Sequence, residues 1–235
     1  MSHRRPLPLL VLLVVAALVL SGCGGQKAEK KKGASPSSVM TSAKKKFDDA
    51  SSVHIALSTK STPSEGNGVL GATGDVTHAP AFEGDVKVVL GGLTATVPIT
   101  AINGKVYAKL PLQTKYATIK PSEYGAPDPA SFADPDKGLS SLLTQIDGLK
   151  KGKQTRDGDQ ILTSYTGTLP GDAVKQIIPS ADSGSTYKTS VGVDDKGYAT
   201  KVSITGPFFA DGKDVTYDVG FSKYDKGVKI SAPSA

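Results

Sequence analysis

Apolar and polar residues alternate one by one along several stretches of this chain, and that alternation limits its possible folds more than any other feature. Val53, Ile55 and Leu57 alternate with His54, Ala56 and Ser58. Val86, Val88 and Leu90 alternate with Asp85, Lys87 and Val89, and Leu93, Ala95, Val97, Ile99 and Ala101 with Thr94, Thr96, Pro98 and Thr100. Successive side chains of a strand point to opposite faces, so a period of two marks strands with one buried face. Gly91-Gly92 lies between two of these stretches and Asn103-Gly104 precedes Lys105–Leu110. Both pairs read as hairpin turns. Pro98 lacks the N–H a sheet interior needs, so an edge or a bulge is expected there.

Helical spacing is rarer. Val39, Met40, Ala43, Phe47 and Ala50 predict a helix over about 38–50, with Ser37 or Ser38 as N-cap. Leu139, Leu142, Leu143 and Ile146 predict a short helix after a Pro- and Asp-rich loop at 121–137. Ala173, Val174, Ile177 and Ile178 predict another over 171–178, stopped by Pro179. Further strands are expected at 149–156, 160–169, 185–194, 198–205, 213–221 and 226–231, joined by Asp- and Gly-containing turns. Trp is absent, aromatic residues make up 6%, and 26 glycines favour strands and turns over long helices. Three scattered helices are too few for βαβ units. The fold class is therefore α+β, built on an antiparallel sheet.

The N-terminus specifies an address. His3, Arg4 and Arg5 precede an apolar run from Leu7 to Leu20, which ends at Ser21-Gly22-Cys23. The run is short of the roughly 20 residues a helix needs to span a bilayer, and the layout is that of a secretory signal. Leu20-Ser21-Gly22-Cys23 resembles the lipobox of bacterial lipoproteins, which implies a diacylated Cys23 at the mature N-terminus, lipid-anchored to the extracytoplasmic face of the cell membrane. Residues 1–22 are then the signal, 23–37 a tether and 38–235 the folded domain. Gly24 to Ser38 contains no hydrophobic residue larger than Ala, so it should remain a flexible linker. Lys27, Lys30, Lys31 and Lys32 can add electrostatic attraction to the membrane surface. Removing the signal lowers the formal charge from +6 to +4. This dispersed excess does not suggest nucleic acid, and acylation of Cys23 leaves no thiol for a disulfide.

Groups that could be activated for catalysis are scarce. Beyond the signal only His54 and His78 remain, with no metal-ligand cluster, no nucleophile elbow and no phosphate loop. Asp128, Asp134 and Asp136 could suggest calcium, but the remaining ligands of such a loop are missing. Turn formation is the better reading. No catalytic residue, metal or cofactor is expected, and no enzymatic activity.

Several segments, in order, resemble the LppX/LprA/LprF/LprG family of mycobacterial lipoproteins, its LprG branch most closely. They are Ser52–Leu57, Gly84–Gly92, Asn103–Leu110, Asp128-Pro129-Ala130 with Asp134-Pro135 and Gly138-Leu139, Ala173–Ile177, and Phe221–Tyr224 through Val228–Ile230. The resemblance covers most of 38–232 and implies a strongly curved antiparallel half-barrel with short helices on its concave side, enclosing a hydrophobic cavity for acyl chains. It implies a carrier of membrane lipids (multi-acylated glycolipid, phospholipid or triacylglycerol), acting as a monomer, with a membrane transporter as handover partner. Laid on the strand pattern, it puts Val53, Ile55, Leu57, Val86, Val88, Leu90, Val97 and Ile99 on the cavity face. Leu139, Leu142, Leu143, Ile146, Val174, Ile177 and Ile178 would form the helical lid and mouth. Tyr224 stands where close relatives often carry Trp, which puts cavity size and headgroup in question. Two rival readings remain open: a LolA/LolB-like lipoprotein chaperone or envelope assembly factor, and a structural or signalling lipoprotein with a filled core.

Overall fold

The computed structural model describes residues 33–63 and 67–234. The signal, Cys23 and most of the tether lie outside them. The folded chain opens with α1, Pro36–Asp49, whose Ser35 Oγ accepts a hydrogen bond from the Ser38 N–H at 3.2 Å. The helix thus begins before the predicted start. Pro36 fits the first helical position, where an N–H would be unpaired anyway, and this makes Ser35 the cap rather than Ser37 or Ser38. Met40, Ala43 and Phe47 form its buried stripe.

Eleven strands follow among the described residues: β1 (Ser52–Thr59), β2 (Gly68–Thr77), β3 (Ala81–Leu90), β4 (Leu93–Ile102), β5 (Lys105–Ala108), β6 (Ala117–Ile119), β7 (Asp147–Asp157), β8 (Gln160–Pro170), β9 (Thr186–Val193), β10 (Ala199–Pro207) and β11 (Asp214–Ser222). They form one antiparallel sheet in the order β6-β5-β4-β3-β2-β1-β11-β10-β9-β8-β7. The two meanders, β1–β6 and β7–β11, meet at the pairing of β1 with β11. β6 and β7 do not pair, so the curved sheet stays open.

The turns follow the sequence. Gly91 and Gly92 have φ of 56° and 82°, and Asn103 and Gly104 have φ of 54° and 69°, the left-handed backbone that a two-residue hairpin turn demands. Pro98 sits opposite Asp85 inside β4, beyond the end of the β5 ladder, and its carbonyl accepts from the Lys109 N–H.

Two strands were not expected. β2 carries glycine at 68, 71 and 74, which obscures its alternation, and β6 has only three residues. One expected strand does not form. The chain at 226–231 leaves the sheet through left-handed Lys223 and Asp225, and β11 already has β10 and β1 on its two sides. Asp225 instead accepts from the Ser51 N–H at 2.8 Å.

The concave side carries α1, α2 (Gly171–Ile177) and a 3-10 helix at Leu139–Thr144 in place of the expected α-helix. α1 is tied to that helix and to the chain ahead of it: Ser140 Oγ donates to Asp48 Oδ1 at 2.6 Å, and Lys44 Nζ to the Pro135 carbonyl at 2.7 Å. Phe47 meets Phe221 and Tyr224 edge-on, with ring centroids 5.4 and 6.4 Å apart.

The close approach of β2 and β3 rests on Gly74 and Gly84, which oppose one another in the register. A Cβ on Gly84 would stand 2.1 Å from the Thr73 carbonyl oxygen, so only glycine permits this approach.

Candidate functional site

The period-two pattern puts one apolar row of each strand on the concave side, and on β1–β4 these rows face a cleft. Its floor is Leu57 of β1, Val69 and Ala72 of β2, Val86, Val88 and Leu90 of β3, and Val97 and Ile99 of β4. Leu110 and Ile119 extend it past β5 and onto β6. The roof is the Pro-rich segment from Pro121 through Tyr124 to Phe132, with Ile177, Ile178, Pro179 and Ser180 closing one side.

The roof is itself ordered by its sequence. Pro121 and Pro129 begin 3-10 turns, Asp128 Oδ1 accepts from the Ala130 N–H at 2.9 Å, and left-handed Gly125 ends the first turn. Phe132 stands edge-on to Phe82 of β3 at 6.5 Å. Asp134 Oδ1 accepts from the N–H groups of Asp136 and Lys137 at 2.8 and 3.0 Å, which is turn formation. Among the described residues no group of three or more His, Cys, Asp or Glu is placed to hold a metal ion.

Among the described residues no charged side chain lines the cleft. Its principal polar handle, Tyr217 on β11, is fully buried and donates its OH to the Val69 carbonyl at 2.5 Å. Burial pushes the Tyr217 phenol far above its ordinary range. A charged or hydroxyl-rich group would find no partner here, whereas hydrocarbon would lose nothing. The open volume is about 70 Å³.

The structure divides the sequence-expected cavity residues into two groups. Leu57, Val86, Val88, Leu90, Val97, Ile99, Ile177 and Ile178 line the cleft. Leu139, Leu142 and Val174 pack with Ile177 and Ile178 against Val202, Ile204, Val219 and Phe221, leaving a void of only about 10 Å³. Val53, Ile55, Leu143 and Ile146 are buried in the same continuous core, away from the cleft. Alternation identifies the face a residue occupies but not whether that part of the trough is filled. Here α2 and the 3-10 helix fill the β10–β11 half, and the β2–β4 half stays open.

Val69, Ala72, Leu110, Ile119, Tyr217 and the 121–132 roof were absent from the expected set. The signal for the roof was present, since Tyr124 and Phe132 are large apolar residues within a Pro-rich loop. Tyr224 lies outside the cleft: it packs on Phe47 and on Tyr198 and donates to the Ala199 carbonyl at 2.6 Å. His54 is also remote, with Nδ1 2.8 Å from Asp75 Oδ1 on the convex face. His78 packs edge-on to Phe47 at 6.0 Å.

Comparison with known proteins gives the same picture. A family model described as LppX_LprAFG lipoprotein matches residues 35–230. A Mycobacterium leprae protein named lipoarabinomannan carrier protein LprG is 26% identical, over 98% of this chain and 96% of that protein. Its namesake in Mycobacteroides abscessus is 27% identical over 96% of each. The crystal structure of LprF from Mycobacterium bovis matches with a TM-score of 0.71 at 18% identity, covering 85% of this chain and 97% of that one. That of LppX from Mycobacterium tuberculosis matches at 0.61 and 20%, covering 83% and 98%.

Proposed function

Because the chain belongs to the LppX_LprAFG lipoprotein family, we propose that it is a membrane-anchored carrier that takes the acyl chains of a membrane lipid into the concave cleft and carries that lipid through the cell envelope. The observation that carries this reading is the cleft's chemistry: an apolar floor on β1–β4, an apolar roof and, among the described residues, no charged side chain between them. The relatives named lipoarabinomannan carrier proteins support an acylated glycolipid as cargo.

The mechanism requires no chemistry. Acyl chains occupy the cleft while the headgroup stays at the mouth, in water. A chain of sixteen carbons, each methylene about as bulky as a water, fills on the order of 500 Å³. Against an open volume of about 70 Å³, loading must lift the roof. The segment with fewest ladder hydrogen bonds to break is 121–132, which is held by turns and side-chain contacts rather than by strand pairing. Cys23, acylated, keeps the domain within reach of its lipid source: the residues between it and Ser35 span at most about 45 Å when extended.

Protein extracted from its native membrane should carry noncovalent lipid, identified by native mass spectrometry and lipid analysis of the extract. An acylated polypeptide as the co-purifying ligand would favour the chaperone reading, and an empty protein would end the carrier reading. Cys23→Ala should abolish membrane retention in cell fractionation while leaving lipid binding intact.

A further inference from the structure

We propose that the Gly91-Gly92 end of the cleft docks on an anionic bilayer through Leu93 and Leu112, giving acyl chains an apolar track from the membrane interior into the cleft. The proposal rests on the carrier reading above.

Val97 and Ile99 of β4 line the cleft, and two residues further out along the same face come Ala95 and then Leu93, which pairs with cleft-lining Leu90 across the hairpin. Leu93 is 77% exposed. The second track starts at Leu110, also in the cleft, and two residues later reaches Leu112, which is fully exposed. Leu112 has φ of 68°, a left-handed backbone that is an outlier for a bulky side chain. Glycine or asparagine would make that turn without strain. A leucine held there, with no contact to gain from the fold, points to a partner outside the chain.

Both leucines lie at one end of the sheet. Ile102 pairs with Lys105 and Ile99 with Ala108, so β5 runs towards the Gly91-Gly92 end. Ala108 in turn pairs with Ala117, which places the 109–116 loop at that end beside the outer part of β4.

The charge pattern identifies the partner. From Val86 to Ser122 the chain has five lysines and no carboxylate. Lys87, opposite Thr96, and Lys109 and Lys115, in and beside the loop, belong to the Leu93 and Leu112 end. Among the described residues the carboxylates of the strand ends and connections at this end of the sheet, Asp147, Asp172, Asp182, Asp211 and Asp214, belong to the β7–β11 half. Exposed leucines ringed by lysines match the boundary between acyl chains and anionic headgroups. The mature lipoprotein would tilt its β3–β6 half onto the membrane, with the roof segment above it.

The test uses the mature, acylated chain in vesicles of equal parts phosphatidylcholine and phosphatidylglycerol, and in pure phosphatidylcholine. Cys23 is the only cysteine, so Leu112→Cys and, as a control at the opposite end of the sheet, Asn103→Cys each offer one thiol for an environment-sensitive nitrobenzoxadiazole label. The label at 112 should shift to the blue and be quenched by lipids spin-labelled in their acyl chains, more so in anionic vesicles, while the label at 103 stays in water. Equal solvent exposure of both labels would overturn the proposal. Leu93→Ser with Leu112→Ser should slow lipid transfer between vesicles about tenfold, since each leucine gives up apolar burial in the interface. Lipid occupancy of that variant in detergent should be unchanged; if it is lost, the leucines serve the cavity instead and the docking proposal is overturned. An unsubstituted protein that holds no lipid in detergent would defeat the carrier reading alone, with the label shift still deciding the docking.

Discussion

Replacing Val86 with Trp tests the cleft at its centre. Val86 sits on β3 between Ala72 and Val97 in the register, with its side chain in the cleft floor. The change adds seven side-chain heavy atoms, on the order of 100 Å³ at interior packing density. The cleft holds about 70 Å³, so the indole fills it with slight crowding of the roof. Overpacking of this kind costs about 1–3 kcal/mol, partly offset by the apolar surface the ring buries. For a domain of this size the melting temperature should then fall by no more than about 10 °C. Lipid loading should disappear, because the space from which the roof must rise is already occupied. Val86→Ala is the matched control, costing a similar amount of stability while enlarging the cleft, and it should load at least as well as the parent. Native mass spectrometry and thermal melts on the three proteins separate the effects. A folded Trp variant with undiminished lipid adducts would refute the assignment of the cleft.

Gly84→Ala would place a Cβ 2.1 Å from the Thr73 carbonyl oxygen, backbone that cannot turn aside, so a loss of about 3 kcal/mol or more in denaturant unfolding is expected. Tyr217→Phe removes the hydroxyl that satisfies the Val69 carbonyl beside the β2 bulge and should cost about 1–3 kcal/mol near neutral pH. The same variant should change the alkaline limb of the stability curve. The folded state holds the Tyr217 proton more tightly than the unfolded chain does, so its contribution is complete below the ordinary value of 10.0 and is lost as pH rises above it. Tyr187 and Tyr224 are raised as well and keep a residual slope, so the variant's curve above that pH should be shallower but not flat.

What the sequence reveals and what it hides have physical causes. β3 and β4 are legible because each has one face against the core and turn residues between them that can only be turns. β2 is not, because the glycines at 71 and 74 are there for backbone contact, and a residue chosen for having no side chain leaves no trace in a hydrophobic pattern. β7, expected at 149–156 and found at Asp147–Asp157, shows another case: exposed except for half-buried Leu149, it pairs through its backbone, and its Lys-rich sequence carries little of the alternation that burial imposes. The half-barrel is an expectation from resemblance alone, since no residue pattern marks that β6 and β7 stay unpaired at the two ends of the sheet. The expected cavity residues divide for a third reason. Val86 and Leu142 look equally apolar in sequence, and only the position of α2 against β10 and β11 decides that one faces open space and the other a filled wall.

A carrier must let go of what it binds, and the energetics of this cleft favour that. Moving hydrocarbon from water into an apolar site is worth about 0.8 kcal/mol per methylene, but the cargo starts in a bilayer that already supplies the same environment. The two transfers nearly cancel. Occupancy is then governed by the work of lifting the 121–132 roof and by the contacts the roof makes with the chain once lifted. This leads to a length rule. Within the cleft, added methylenes should change affinity little, because each leaves one apolar phase for another. Beyond the length the opened cleft can cover, each further methylene meets water and should lower affinity by about 0.8 kcal/mol, close to fourfold. Competition between lipids of one headgroup and increasing chain length, read by native mass spectrometry, should therefore give a plateau followed by a steep fall. Affinity that climbs steadily with chain length would mean that the cleft outcompetes the bilayer for hydrocarbon, and a protein of that kind would store lipid rather than carry it.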